Sequence, residues 1–275
     1  MKVHHLNCGT MCPVCRRLIN GQGGFFERAR MVCHCLLVET EQGLVLVDTG
    51  LGTGDIENPS RRLGKGFVAM MQPTLSASET AVEQVKKLGY SPKDVRHIMP
   101  THLDLDHAGG LSDFPMAQVH VYKPEHQHAV QPSLRDSLRY RTAQFAHQPD
   151  WALHSQCKLE WFGFPAIQPL AGIDILLVPL IGHTRGHVGV AVRQGAKWLL
   201  HCGDSYFHRS EVQPEPAMPM PPMLAFFEKL VQTLPKERMA TQGRLRTLVK
   251  NHGDEVALFC AHDPVEFESF SQKIV

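Results

Sequence analysis

The chain has 275 residues, a length that fits one large domain or two small ones. Hydrophobic residues make up 43% of it and charged residues 20%, as in an ordinary globular protein with an apolar core. Its 28 Lys and Arg nearly balance 27 Asp and Glu, and a net charge of +1 gives no global field to attract nucleic acid or an anionic membrane. We therefore expect neither as a partner, and the sequence leaves the oligomeric state open.

Two further features bear on location and chemistry. The segment MKVHHLNCG lacks the apolar run of a secretory signal, and no stretch reaches the roughly 20 apolar residues that a membrane-spanning helix needs. We expect a cytoplasmic protein whose eight Cys are reduced. The 17 His are unusually many, and because several adjoin Asp, Cys or Gly they favour metal chemistry.

Strand and helix signals alternate in the first half of the chain. Met31–Thr40 and 43–48 are β-rich runs joined by a short polar turn. Residues 78–89 predict a helix with Ser78 as its cap. Val95–Met99 predicts a short strand that leads directly into a polar segment.

The second half repeats this alternation. Pro179 places the strand predicted at 173–180 near an edge or an end of its sheet. The other predicted elements are strands at 117–122, 188–193, 197–202 and 256–260, helices at 223–234 and 238–249, and a terminal helix from Pro264. Strands grouped into sheets with helices beside each group predict a layered α/β protein.

Two segments depart from this pattern. Residues 123–168 are rich in aromatic side chains and show little periodicity, so we expect them to be an insertion, packed over one end of the sheets, in a single domain 1–275. Trp151, Trp161, Phe162 and Phe164 are expected to form a small core under this insertion and also to wall a pocket. The linker 213–222 has five Pro and is expected to be extended or turn-like.

The segment THLDLDHAGG at 101–110 concentrates four potential metal ligands, His102, Asp104, Asp106 and His107. Alternate side chains share one face of an extended segment, so His102 and Asp104 can reach one metal together. Asp106 and His107 lie where the chain turns toward a helix and can reach a second metal. Without a cation, these groups would repel one another or lack partners if they were buried. A solvated polar loop is the alternative.

This segment resembles the HxHxDH signature of the metallo-β-lactamase superfamily. Further segments resemble elements of that superfamily in its own order: VDTG at 47–50, GHTRGH at 182–187, GDS at 203–205 and AHD at 261–263. The similarity runs from Met31 to Asp263. It implies a four-layer αββα sandwich with two metals at one edge of the sheets.

The resemblance also implies seven metal ligands, three for each of two metals and one that is shared. They are His102, Asp104 and His183 for the first metal, Asp106, His107 and His262 for the second, and Asp204 as the bridge. The implied reaction is hydrolysis of an ester, lactone or similar acyl bond of a small molecule by a metal-bridging hydroxide. Asp106 is implied to take a proton in that reaction. The lactonase-like branch of the superfamily is the most similar.

Asp104 departs from the superfamily pattern, because the family has its second His at this position. Two His and a carboxylate suit iron or manganese as well as zinc. We expect two divalent ions, with zinc as the preferred metal and iron or manganese as open alternatives. The added negative charge is expected to make the metal pair a weaker Lewis acid. A di-iron redox enzyme of the same fold, a glyoxalase-like thioester hydrolase and a binding protein with a degenerate site remain alternatives.

Two residues near the ligands have proposed supporting roles. Tyr206 is expected to donate a hydrogen bond to a substrate oxygen, although it stands two residues after Asp204 and the comparable Tyr of superfamily lactonases stands three after the bridging Asp. His187 is expected to orient a metal ligand.

The N-terminal cysteines have no assigned role. Cys8, Cys12 and Cys15 have the CxxxCxxC spacing of iron–sulfur radical enzymes, but such enzymes need a different fold. A structural zinc held by Cys12, Cys15, Cys33 and Cys35 is one hypothesis, and ordinary thiols are the other.

Overall fold

The computed structural model describes residues 1–134, 136–213 and 219–272. The expectation that the Pro-rich linker is extended or turn-like falls largely on 214–218, which lie outside the described residues. The strands are β1 Lys2–Met11, β2 Met31–Thr40, β3 Gly43–Val47, β4 Val95–Met99, β5 Gln118–Tyr122, β6 Asp150–His154, β7 Leu159–Trp161, β8 Phe164–Ala166, β9 Ile175–Pro179, β10 Val188–Gln194, β11 Lys197–His201 and β12 Val256–Phe259. The helices are α1 Arg16–Ile19, α2 Thr53–Glu57, α3 Lys65–Met71, α4 Ala81–Lys87, α5 Lys123–Val130, α6 Pro222–Val231, α7 Pro235–His252 and α8 Pro264–Ser271. None of the helices described here has the length and apolar character needed to cross a membrane.

The strands form two main sheets. The first has the order β1-β2-β3-β4-β5-β6, the second has the order β12-β11-β10-β9, and β7 with β8 forms a separate two-stranded sheet. Both main sheets contribute to one buried apolar cluster, the first through Val45 and Met99 and the second through Ile175 and Val190. The sheets therefore pack face to face. β9 lies at an edge of its sheet, as Pro179 indicated.

A helix covers the outer face of each sheet. Ala81, Val82 and Val85 of α4 share an apolar cluster with strands of the first sheet. Leu245 and Leu248 of α7 share another with strands of the second sheet. The layers thus run helix, sheet, sheet, helix, and the expected αββα sandwich is confirmed.

The start of α4 differs from the sequence-based expectation. Thr80 caps the helix, because its hydroxyl accepts a hydrogen bond from the backbone N–H of Glu83. Ser78 lies instead in the short 3-10 turn Ala77–Glu79. β1, at the edge of the first sheet, had no clear sequence signal, because His and Asn residues interrupt its apolar pattern.

The segment 123–168 is more regular than its composition indicated. It begins with α5, and β6 extends the first sheet in parallel with β5. Trp161 and Phe164 pack in the apolar cluster on the outer face of the second sheet. The segment is therefore not confined to one end of the sheets, because parts of it join both of them.

The fold brings the candidate ligands to one edge of the sandwich. β3 is parallel to β4 in the first sheet and β11 is parallel to β12 in the second, so the segments after each pair leave on the same side. These segments carry the THLDLDH motif, Asp204 and His262, and the β9–β10 loop carries His183. The backbone N–H of Val188 donates to the carbonyl of Thr101 at 2.9 Å and joins the two sheets at this edge.

Candidate metal centre

Asp204 lies between two pairs of buried histidines. Its Oδ1 is 3.3 Å from Nε2 of His107 and 3.1 Å from Nε2 of His262. Its Oδ2 is 3.8 Å from Nε2 of His102 and 3.5 Å from Nε2 of His183. One carboxylate thus presents an oxygen to each pair, which is the arrangement that a bridging ligand requires.

The other two carboxylates of the motif divide between the pairs. Oδ2 of Asp104 lies 3.0 Å from Nε2 of His183 and 3.4 Å from Nε2 of His102. Oδ2 of Asp106 lies 3.6 Å from Nε2 of His262. The structure therefore brings all seven candidate ligands together, in the two groups that the sequence analysis proposed.

Unpartnered buried atoms test whether these residues fit metal ions. Nε2 of His102, Nε2 of His107, Oδ1 of Asp104 and Oδ1 of Asp204 are buried without a hydrogen-bond partner. Such atoms are costly in a folded protein unless something else satisfies them. Ligand atoms of His102, His183 and Asp204 lie within 4.8 Å of one another, as do those of His107, Asp204 and His262. Nitrogen and oxygen donors at these separations fit two divalent ions.

Electrostatics keeps two carboxylates of the site, Asp204 and Asp104, ionised. Burial opposes ionisation of Asp204, but His262 and His107 outweigh it and hold the pKa of that carboxyl well below its usual range. Burial also opposes ionisation of Asp104, but the positive charges of Arg139 and His102 outweigh it and hold the pKa of that carboxyl well below its usual range. The centre is thus arranged to present negative oxygens to a cation.

Asp48 supports the THLDLDH motif from the end of β3. Its Oδ1 accepts from the backbone N–H of Thr101 at 2.7 Å, and its Oδ2 accepts from Nδ1 of His107 at 2.9 Å. Because His107 donates through Nδ1, its Nε2 is left free to face the centre. Gly50 is required nearby, since its φ is +60° and an added Cβ would lie 2.1 Å from the carbonyl oxygen of Cys8.

Two further hydrogen bonds that orient the centre involve His262 and His187. Nδ1 of His262 donates to the carbonyl of Val32 at 2.8 Å, which leaves its Nε2 facing Asp204. Nε2 of His187 accepts from the backbone N–H of Asp204 at 2.9 Å. This contact is consistent with the supporting role expected for His187.

Two residues of the centre had no recognisable signal in the sequence, and both lie in the segment 123–168. Nη1 of Arg139 donates to Oδ2 of Asp104 at 2.8 Å, and its Nη2 donates to the carbonyl of Val231. Glu125 is buried, and its carboxylate accepts four hydrogen bonds, from Leu103 N, Tyr140 OH, Thr184 Oγ1 and Gly186 N. It thereby joins the loop that carries the HxDxDH ligands to the loop that carries His183.

A cavity of about 500 Å³ opens above the centre, with Asp104, Asp106, Asp204, His183 and His262 in its lining. Its walls are mainly apolar, and α3, α6 and the segment around Leu138 and Arg139 all contribute to them. The apolar lining residues include Leu63, Phe67, Met71, Phe207, Phe227 and Leu230. The tryptophans of the segment 123–168 are not in this lining. The expectation that they wall the pocket is therefore wrong, and they serve as packing residues.

Tyr206 does not line the cavity. Its side chain is fully buried in the cluster on the outer face of the second sheet, and its hydroxyl donates to Oε1 of Glu266 at 3.1 Å. The next residue, Phe207, takes the cavity side and stacks on the His262 ring with centroids 5.5 Å apart. This placement contradicts the expectation that Tyr206 donates to a substrate oxygen.

The cysteines proposed for a structural zinc do not converge. Cys35 packs in the same apolar cluster as Cys8, whereas Cys33 lies beside Asp106 and His262. Cys12 and Cys15 are both partly exposed. Among the residues that the structure describes, no group of potential ligands combines the four.

Clustered, buried His and Asp at one edge of an αββα sandwich define a candidate metal centre. The model of the metallo-beta-lactamase superfamily matches residues 28–246. The chain therefore belongs to the metallo-beta-lactamase superfamily.

Relatives within the superfamily include hydrolases and lactonases. A probable metallo-hydrolase of Mycobacterium tuberculosis (strain ATCC 25618 / H37Rv) is 43% identical over 267 residues, which cover 96% of this chain and 81% of that protein. An N-acyl homoserine lactonase of Bacillus thuringiensis is 26% identical over 212 residues, covering 74% of this chain and 77% of the lactonase.

Solved structures show the same fold. An N-acyl homoserine lactone hydrolase with the product N-hexanoyl-L-homoserine at its catalytic metal centre superposes with a TM-score of 0.72 at 21% identity, covering 98% of this chain and 95% of that one. AidC, a dizinc quorum-quenching lactonase, superposes with a TM-score of 0.62 at 17% identity, covering 96% of this chain and 90% of that one.

Proposed function

We propose that this protein is a binuclear metal-dependent hydrolase that opens a lactone, or cleaves a similar ester, of a small molecule with an apolar acyl part. The observation that carries the proposal is the position of Asp204, whose two oxygens face two separate His pairs. The relatives named as lactonases support the choice of bond. Its cytoplasmic location and single-domain organisation remain predictions from the sequence.

In this proposal the candidate ligands hold two ions, with zinc as the first choice. His102, Asp104 and His183 would hold the first ion, Asp106, His107 and His262 would hold the second, and Asp204 would be shared by both. When bound, such ions supply an activated water and polarise an acyl oxygen. Two His with carboxylates also accommodate iron or manganese, so metal analysis belongs to the test.

The protein's own residues bind the substrate and move the proton. The apolar cavity walls bind the acyl part and exclude bulk water from the centre. Asp106 lies in the cavity lining, where its carboxylate accepts a proton from the attacking water and passes it to the oxygen that leaves the acyl carbon. Arg139 holds Asp104 in place from the cavity wall.

The test combines metal analysis with a substrate panel. Protein purified from cells without added metal is analysed for metal content and then assayed with N-acyl homoserine lactones of different chain length, aryl esters, a thioester and a phosphotriester. We expect hydrolysis of the lactones or esters, with kcat/KM rising with acyl length because the cavity is apolar. Iron with oxygen-dependent turnover would favour the di-iron alternative instead, and preference for the thioester would favour the glyoxalase-like one. Stable metal with no turnover of any substrate would contradict the proposal.

A further inference from the structure

Cys33 lies at the metal centre, although no ligand role was expected for it there. Its Sγ, a carboxylate oxygen of Asp106 and a ring nitrogen of His262 all lie within 4.8 Å of one another. Cys33 is 2% exposed and belongs to the apolar cluster that includes Met31 and Phe207, two residues that line the cavity. A third type of donor atom therefore adjoins the pair of ligands assigned to the second metal.

The backbone fixes this position. The N–H of His34 donates to the carbonyl of Ala261 at 2.9 Å, and Nδ1 of His262 donates to the carbonyl of Val32 at 2.8 Å. These hydrogen bonds attach β2 to the His262 loop on both sides of Cys33. Successive side chains of a strand point to opposite faces, so His34 stacks on Phe259 while Cys33 faces the centre.

Contacts from β1 hold the same residue from the other side. Asn7 accepts a hydrogen bond from the backbone N–H of Cys33 at 3.1 Å through its Oδ1. The pairing of β1 with β2 shifts register between Asn7 and Thr10. Gly9 lies within this irregularity, and a Cβ added to it would lie 3.4 Å from Sγ of Cys33. The thiol therefore packs closely against the backbone of Gly9.

We propose that Cys33 is an additional, thiolate ligand of the second metal, together with Asp106, His107 and His262. The inference rests on the proposed binuclear centre and adds a residue to it. On binding the ion, the thiol loses its proton to solvent and the sulfur donates to the metal. Thiolate donors favour zinc over harder divalent ions. The second site is then selective for zinc, whereas the first site, with Asp104, has only nitrogen and oxygen donors.

The wild-type protein loaded with zinc provides the direct test, by zinc K-edge X-ray absorption. We expect about one sulfur scatterer for each two zinc ions, at roughly 2.3 Å. The cobalt(II) form should show a sulfur-to-cobalt charge-transfer band in the near ultraviolet. Cys33→Ser should lose both signals and bind the second zinc at least about tenfold more weakly, while the matched control Cys12→Ser, which changes a partly exposed thiol, should retain them.

The possible outcomes separate this inference from the proposed function. About two zinc ions per chain with only nitrogen and oxygen scatterers would overturn the role of Cys33 and leave the binuclear hydrolase intact. A sulfur signal that persists in Cys33→Ser would also overturn it. Absence of bound metal in the wild type would contradict the proposed function itself. If Cys33→Ser does not fold, the wild-type absorption spectrum still decides the question.

Discussion

Arg139 donates a hydrogen bond from Nη1 to Oδ2 of Asp104 at 2.8 Å, and the same oxygen lies 3.0 Å from Nε2 of His183. The carboxylate at the position of the family's second His is therefore paired with a guanidinium. The pair offsets the extra negative charge that Asp104 brings to the centre. The sequence-based expectation of a weaker Lewis acid assumed an unpaired carboxylate, and the structure removes that assumption.

The pairing predicts that restoring the family residue alone is harmful. In Asp104→His the guanidinium of Arg139 loses its carboxylate partner, and its positive charge then lies unpaired beside the first metal ion. The first metal should therefore bind roughly 10 to 100 times more weakly than in the wild type. Adding Arg139→Gln should recover much of that affinity. Isothermal titration with zinc, after each variant has been depleted of metal with a chelator, measures the affinities. If the double variant binds metal no better than Asp104→His, the two residues are not coupled.

Removal of the metal should abolish activity, and adding metal back should restore it. The wild type is expected to hold about two ions per chain, with His183→Ala emptying the first site and His107→Ala the second. Each variant should therefore retain about one ion by mass spectrometry. His252→Ala, at the end of α7, is the matched control and should keep the wild-type content. Full activity after exhaustive chelation would contradict the metal centre.

Asp106 should matter more for turnover than for substrate binding. Asp106→Asn keeps the shape of the side chain but removes its ability to accept a proton, so kcat should fall roughly a hundredfold or more with a smaller change in KM. Asp254→Asn changes an exposed carboxylate far along the chain and serves as the control. Metal content is measured in parallel, because a variant that merely loses its second ion would not test proton transfer.

Tyr206 should contribute to stability and not to catalysis. Tyr206→Phe removes the hydroxyl that donates to Glu266, which should lower the free energy of unfolding by about 1 kcal/mol. Turnover should stay within roughly threefold of the wild type, because the hydroxyl makes no contact with the cavity. Urea unfolding measures the change in stability, and steady-state kinetics measure the change in turnover. A hundredfold loss of kcat in a stable variant would restore the catalytic assignment.

A row of histidines across the first sheet predicts a loss of stability in acid. His120 hydrogen-bonds to His97 and His154, each at 3.0 Å, and burial together with the charges of these neighbours lowers its pKa to about 3. The folded state thus favours neutral His120, so its contribution to stability is present above the unfolded pKa of 6.5 and is lost as the pH falls toward 3.

Between pH 7 and pH 5 this residue alone should cost up to roughly 2 kcal/mol of unfolding free energy. His120→Gln cannot take up that proton, so its stability should decline less over the same interval. Urea unfolding of both proteins at the two pH values, with equal metal content, gives the difference. An equal decline in both would show that His120 does not titrate on unfolding.

Much of the fold and of the candidate ligand set follows from short segments of sequence. The alternation of β-rich and helical runs is a local property, and so is the spacing of His102, Asp104, Asp106 and His107 within six residues. Because these groups lie on one short segment after a strand, their proximity does not depend on how distant parts of the chain pack. Superfamily order then supplied His183, Asp204 and His262.

Only the tertiary structure decided which further side chains meet these ligands. Arg139 reaches Asp104 across 35 positions, and β2 is joined to His262 across 230, which brings Cys33 to the second site. Tyr206 and Phe207 are adjacent and both aromatic, yet one packs outward on Glu266 and the other faces the cavity. Such outcomes depend on strand pairing and on the packing of layers, which residue types and spacing within a short segment do not encode.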